Sequence, residues 1–442
     1  MATDHVRKIR KGHLKRAIGV LVALAGVVGF ILVMALLAEV VIYTGTGADP
    51  ATALNLIPAV PPNLEKRLIW LPDAPATVGG RQLEPVVRQK LAGAYLRAWA
   101  QMAISYAIEQ PYGLATYFGG PAYDQATAAI SATVASGWAL AQSDLRHAVE
   151  LTFYAENGNV VAFTDHAVRL VQQYSGKQGE EYVIETDAIY DVVMVLEDGN
   201  WRIRAWRRRA LPAPVVADVI MPEGVATIAG DTFVVDGEHF RLHGVNYYPS
   251  ETPWTLFWEN YDPKVIDADL AKMQELGLNT VRIFVPFDDF GGDEVNRLRR
   301  GRLLDFLNKA GAHNIKVIVT LFDHRTDHAV VNWAADDQHL AQIVPDLAQH
   351  RALLAWDIKN EADRDDKANG AALNHAWLRH VAQEIRRLDP NHLLTIGWST
   401  QEAAIALTDV VDFISYHDYG APKVIRNGLR RSRLQPMASR WF

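Results

Sequence analysis

The chain has 442 residues, 49% of them hydrophobic and 21% charged, an ordinary globular composition with room for two or three domains. A formal charge of −7, with the Lys and Arg clusters mostly near the two ends, gives no basic field for nucleic acid, which is set aside as a partner. Cysteine is absent, so disulfides, thiolate metal sites and thiol nucleophiles are excluded.

In chain order, Arg7, Lys8, Arg10, Lys11, Lys15 and Arg16 come first, followed by an uncharged run from Ala17 to Ala38. At about 1.5 Å per residue that run spans about 33 Å as a helix, against about 30 Å for a bilayer core. It is longer than the roughly 7 to 15 apolar residues of a cleavable leader, so it reads as a retained transmembrane signal anchor, with cleavage at the small residues of Ala48-Asp49-Pro50-Ala51-Thr52-Ala53 as the alternative. The positive-inside rule makes residues 1–16 a cytoplasmic basic segment and residues 17–43 the anchor. The expectation is a single-pass cell-membrane protein with extracellular folded domains. Residues 44–80, with Pro50, Pro58, Pro61 and Pro62, read as a stalk.

A helix follows from Glu84, with Pro85 suited to its first turn and Leu91, Tyr95, Trp99, Met102 and Tyr106 on one stripe, until Pro111 stops it. A weaker helical stretch covers Tyr123 to Ala141. The period then changes to two over 148–154, 160–172, 182–196 and 201–208, with the turns Glu156-Asn157-Gly158-Asn159 and Glu197-Asp198-Gly199-Asn200 between strands. This small α+β domain, residues 81–210, resembles the NTF2-like fold in the order of its elements and carries no catalytic motif. Asp165 and His166 read as a polar pair on a hairpin, with a site inside the sheet's cone as the functional alternative. Residues 211–223, rich in proline, form a second linker.

From 224 to 442 the grammar is strand and helix in alternation. A hairpin, 232–235 and 240–247, leads into helix 263–276, strand 280–285, helix 296–312, strand 315–322, helix 339–349 and strand 353–359. Then come helix 373–388, strand 392–396, a short helix 401–407, strand 411–416 and helix 422–433. Six βα units result, which reads as an α/β barrel of the (β/α)8 TIM type lacking its last two units.

Polar residues gather where these strands end: Asn246 and Tyr247, Arg282, Asp323 and His324, Asn360 and Glu361, Trp398, His417 and Tyr419. That is the barrel face on which active sites are built. Here the chain resembles glycoside hydrolases of clan A, especially the family-five cellulase and mannanase type. The resemblance rests on Leu242-His243-Gly244-Val245-Asn246-Tyr247, Gly277-Leu278-Asn279-Thr280-Val281-Arg282, Asp357-Ile358-Lys359-Asn360-Glu361 and Ile414-Ser415-Tyr416-His417-Asp418-Tyr419. It implies that Glu361 is the general acid/base, that Asn360 bonds the sugar 2-hydroxyl and that Arg282 holds the nucleophile ionised. His324, His417 and Tyr419 match residues that orient carboxylates and contact the sugar, and Asn246 joins them at the mouth. Trp254, Trp258, Trp333 and Trp398 are candidate sugar platforms.

The family's nucleophile is a Glu at the end of strand seven. From Gly420 to Phe442 there is no Asp or Glu, so the nucleophile is expected to be absent and the barrel truncated before it. The cluster Asp323-His324-Arg325-Thr326-Asp327-His328 has the residue types of a metal site, but two His four apart share a face only on a helix, and this reads as a loop. No metal or cofactor is expected. The function expected is retaining hydrolysis of a β-linked polysaccharide or oligosaccharide. The alternative is a catalytically inert glycan-binding or assembly protein acting through the NTF2-like domain.

Overall fold

The computed structural model describes residues 63–73, 81–209, 211 and 224–419. Two five-stranded sheets of different grammar organise them, with a three-stranded and a two-stranded sheet beside the second. The first runs in the order β1 (Leu68–Trp70), β2 (Ala139–Tyr154), β3 (Val160–Ser175), β4 (Glu181–Glu197) and β5 (Asn200–Arg209). β2 to β5 form an antiparallel meander. Asp198 and Gly199 between β4 and β5 take φ of 50° and 81°, the left-handed pair that a two-residue hairpin requires. β1 runs parallel to β2 and comes from residues assigned above to the stalk. The reason is local: Leu-Ile-Trp is a strand-forming run, and Arg67 just before it is buried, donating to the Asp144 carbonyl at 2.8 Å.

Helix Pro85–Ala107 lays Leu91, Tyr95, Trp99, Met102 and Tyr106 onto this sheet. The second helix is Pro121–Ala135 and ends earlier than the pattern predicted. Gly137, at φ 80°, redirects the chain so that Ala139 already belongs to β2. Strand alternation gives the sheet two working faces. Leu140 and Leu170 face the two helices, whereas Leu145 and Val171 enter the hydrophobic core of the second unit.

That second unit opens with an antiparallel sheet, β6 (Thr227–Ala229), β7 (Thr232–Val235) and β8 (Glu238–Phe240). Five parallel strands then pair in sequence order: β9 (Gly244–Asn246), β10 (Thr280–Pro286), β11 (Lys316–Asp323), β12 (Leu353–Asp357) and β13 (Leu393–Thr395). β14 (Gly397–Trp398) pairs in parallel with β15 (Ser415–Tyr416). Helices Pro263–Glu275, Arg297–Ala312, Trp333–Leu347 and Ala371–Leu388 alternate with the parallel strands, which is TIM-barrel-type construction. The run 240–247, expected as one strand, is divided between two sheets. At Gly244 an added Cβ would lie 2.1 Å from the Thr280 carbonyl oxygen, so only glycine admits the close approach of β9 to β10. Phe233 of the small sheet packs on Ile318, Ala355, Leu393 and Phe413, sealing the inner side of the parallel strands away from the mouth.

Among the described residues no helix is long and apolar enough to cross a membrane. The expectation of a single-pass membrane protein with extracellular domains is corrected on that finding. The anchor segment 17–43, the helix 422–433 and the tail on which the truncation was argued lie outside the described residues.

Candidate active site

The floor of the site is an ion pair. Arg282 in the middle of β10 and Asp357 at the end of β12 are 3% and 0% exposed. Arg282 Nε and Nη2 donate to Asp357 Oδ2 at 2.8 and 2.5 Å. Thr320 Oγ1 donates to the same oxygen at 2.8 Å, and the Gly397 amide donates to Oδ1 at 2.9 Å. A buried pair is tolerable only when its remaining lone pairs are met, and here strands β10, β11, β12 and β14 each contribute to meeting them. Arg282 then reaches outward. Both Nη1 and Nη2 donate to Asn360 Oδ1 at 3.1 Å, and Nη1 lies 3.5 Å from Asn246 Oδ1.

Glu361 follows with φ 49° and ψ 52°, a left-handed conformation unfavourable for a residue with a Cβ. His324 at φ 62° and Trp254 at φ 57° share it, and strained backbone of this kind clusters where side chains must be aimed. Glu361 Oε1 lies 2.8 Å from His417 Nδ1, and Oε2 accepts from Arg364 Nε at 2.6 Å. The His417 amide bonds the Trp398 carbonyl at 2.8 Å, which ties β15 to β14 and brings the imidazole over the carboxylate. Tyr419 OH is 3.4 Å from the same His417 nitrogen, and its ring is 86% exposed. His324 is open to solvent, 3.4 Å from Asp323 Oδ2. Burial pushes the Asp323 carboxyl above the usual range, against the pull of His324, Lys359 and Arg282.

The structure thus brings the candidates into two hydrogen-bonded groups, Asn246, Arg282 and Asn360 in one and Glu361, His417 and Tyr419 in the other, joined by the backbone from Asn360 to Glu361, with His324 beside Asp323. The tryptophans fall out differently. Trp258 and Trp333 are fully buried and Trp398 is 2% exposed, each packed in the core, while Trp254 is 62% exposed. Trp258 and Trp333 spend their indole N–H groups on the Phe284 and His328 carbonyls.

Sequence reasoning missed three partners. Asp357 sat inside an apolar run, where a single acid gives no pattern. Phe284 carries the Arg282 guanidinium 4.7 Å above its ring, and Tyr248 stacks on Phe284 at 5.1 Å and meets Trp254 at 4.9 Å. Phe284 lies two residues from Arg282 on the same strand face, a signal that could have found it. Tyr247, singled out at the strand end, instead turns away to donate to Asp269 Oδ2 at 2.8 Å.

The remaining polar candidates separate. His328 is buried and stacks on Trp377 at 3.9 Å, with burial lowering it to about 4, so it does not share a face with His324. Among the described residues no three His, Asp or Glu side chains are placed to hold a metal ion. Asp165 and His166 point to opposite faces of β3. Asp165 is buried between Tyr95 OH at 2.9 Å and His147 Nδ1 at 2.6 Å, and His166 pairs on the surface with Glu150.

Compared with known proteins, residues 235–430 match the cellulase family, glycosyl hydrolase family 5. The chain is 26% identical over 231 residues to mannan endo-1,4-beta-mannosidase A of Hypocrea jecorina, covering 42% of this chain and 50% of that protein. It is 25% identical over 218 residues to mannan endo-1,4-beta-mannosidase 1 of Oryza sativa subsp. japonica, covering 39% and 49%. Among solved structures, beta-mannanase from the blue mussel Mytilus edulis aligns with a TM-score of 0.35 at 16% identity, over 45% of this chain and 75% of that one. The chain spans about half the length of the curated relatives it matches.

Proposed function

Taking residues 235–430 as a cellulase-type domain of glycosyl hydrolase family 5, we propose that it hydrolyses β-linked mannan with retention, using Glu361 as general acid/base. The observation that carries this reading is the chain from Asp357 through Arg282 to Asn360, with Glu361 held beside it by His417. Glu361 would protonate the leaving oxygen and then take a proton from water, with Asn360 bonding the 2-hydroxyl. The mannosidase-like relatives favour mannan among β-linked glycans. We assign residues 81–210 to a separate NTF2-like module and residues 224–442 to the hydrolase domain.

A retaining mechanism needs a second carboxylate about 5 to 5.5 Å from the first. The described contacts of the Glu361 carboxylate are His417 and Arg364. The test is therefore made on two proteins: the 442-residue chain, and that chain continued from Arg433 with the later strands of a mannanase relative. Each is assayed for cleavage of a β-1,4-linked mannooligosaccharide with and without Glu361→Gln. The expected result is cleavage that Glu361→Gln lowers by about 10²- to 10⁴-fold in any protein that is active. Cleavage that survives the substitution, or none in either protein, overturns the reading. Activity in the 442-residue chain would assign the second role to a carboxylate within it, Asp323 first.

A further inference from the structure

The five-stranded sheet and its two helices enclose a cavity of about 200 Å³. Trp99, Tyr106, Tyr190 and Trp206 form its walls, Gln142 and Gln172 its polar floor, and Arg208 lies on its rim. No Asp or Glu lines it.

Two features of this cavity are unbalanced. Trp206 is 9% exposed, and its indole Nε1 is buried with no acceptor among the described residues. A buried donor left unmet costs about 1 to 3 kcal/mol, so such groups call for an explanation. The other feature is charge. β5 ends in Arg207-Arg208-Arg209, and alternation sends the outer two to one face and Arg208 to the other. Arg207 and Arg209 both pair with Asp191, whereas Arg208 has no ion-pair partner among the described residues. Burial pushes the Tyr106 hydroxyl up to about 12, so at neutral pH that wall is an uncharged donor and not a competing anion. The lining therefore carries donors and no carboxylate, is positive at the rim and is aromatic on its sides.

We propose that this cavity is a second ligand site, taking a ring-bearing monocarboxylate and specifically a uronic-acid unit of a glycan. The carboxylate meets Arg208, ring oxygens accept from Trp206 Nε1 and the floor amides, and the ring lies against the aromatic walls. The carboxylate is inferred from the cavity alone. That the ring is a sugar rests on the hydrolase reading of the neighbouring domain.

The experiment is titration calorimetry of the full chain with D-glucuronate, glucose and benzoate. Glucuronate is expected to bind saturably, with glucose at least about tenfold weaker, since a hydrogen bond to a charged group is worth about 1.5 to 3 kcal/mol and 1.4 kcal/mol is tenfold, and with benzoate weaker as well, since it lacks the oxygens that accept from Trp206 Nε1 and the floor amides. Arg208→Gln, a surface change that leaves the core intact, should weaken glucuronate by about the same factor, and so should Trp206→Phe, which removes only the N–H and part of the ring. Glu361→Gln should leave binding unchanged. The inference is overturned if glucuronate does not bind, if glucose or benzoate binds as tightly, or if binding depends on Glu361 and not on Arg208. A chain that binds glucuronate through Arg208 but cleaves no mannan sustains this site and refutes the hydrolase reading alone.

Discussion

Glu361 combines a chemical role with an unfavourable backbone. At φ 49° its Cβ costs about 1 to 2 kcal/mol relative to glycine, so Glu361→Gly is expected to be more stable than Glu361→Ala by about that amount, read from urea midpoints at unchanged m. Equal midpoints would mean that the left-handed conformation is not held in solution. The opposite sign is expected beneath it. Asp357→Asn leaves the buried Arg282 guanidinium without its counter-charge and should destabilise by about 3 to 5 kcal/mol, measured in the same way. Asp357→Asn combined with Arg282→Met should recover part of that loss, because both ions then vanish together. The division between what the sequence disclosed and what it hid follows from pattern. Asn360, Glu361 and His417 stood out as polar residues closing apolar runs. Asp357, though part of a quoted motif, was given no role because a lone acid inside such a run becomes intelligible only when Arg282 is seen across two strands.

At the scale of elements, alternation in β2 to β5 and the helix stripe from Leu91 to Tyr106 were legible because each element has one buried face. The partition of 240–247 between two sheets was not, since a strand that changes partners keeps its apolar character. Docking between the sheet and the helices of the second unit was also hidden, because nothing in the sequence distinguishes Arg169, Glu185 and Glu384 from solvated charges. In the fold, Arg169 Nη1 and Arg146 Nη1 reach Glu384 Oε1 at 3.1 and 3.0 Å, and His380 lies between Glu185 at 3.1 Å and Asp337 at 2.7 Å. Burial alone would lower His380, but the Asp337 charge and bond, with those of Glu185, outweigh it and raise it to about 10. A raised histidine contributes stability that is complete below its unfolded value of about 6.5 and is lost as pH rises through about 10. Denaturation midpoints should therefore fall between pH 6.5 and 10, and His380→Asn should flatten that slope. An unchanged slope in the variant would remove His380 as its source.

For the whole molecule, the sheet and the barrel-type unit share a core through Leu145 and Val171 as well as the ion network. Cleavage of the backbone between residues 211 and 224 is therefore expected to leave the two pieces co-eluting on size exclusion, and Glu384→Gln, which takes from buried Arg169 and half-exposed Arg146 the counter-charge they share across the contact, should part them. Separation of the unmutated pieces would show that the contact is too weak to hold without its tether. The sheet grips helices Trp333–Leu347 and Ala371–Leu388, which follow β11 and β12, the strands that deliver His324 and Glu361. Under tension, the described residues of the two units would not part as independent halves. The load would pass from one sheet into the other through Leu145, Val171 and Glu384, and a force trace should record one rupture for both units where independent beads would give two.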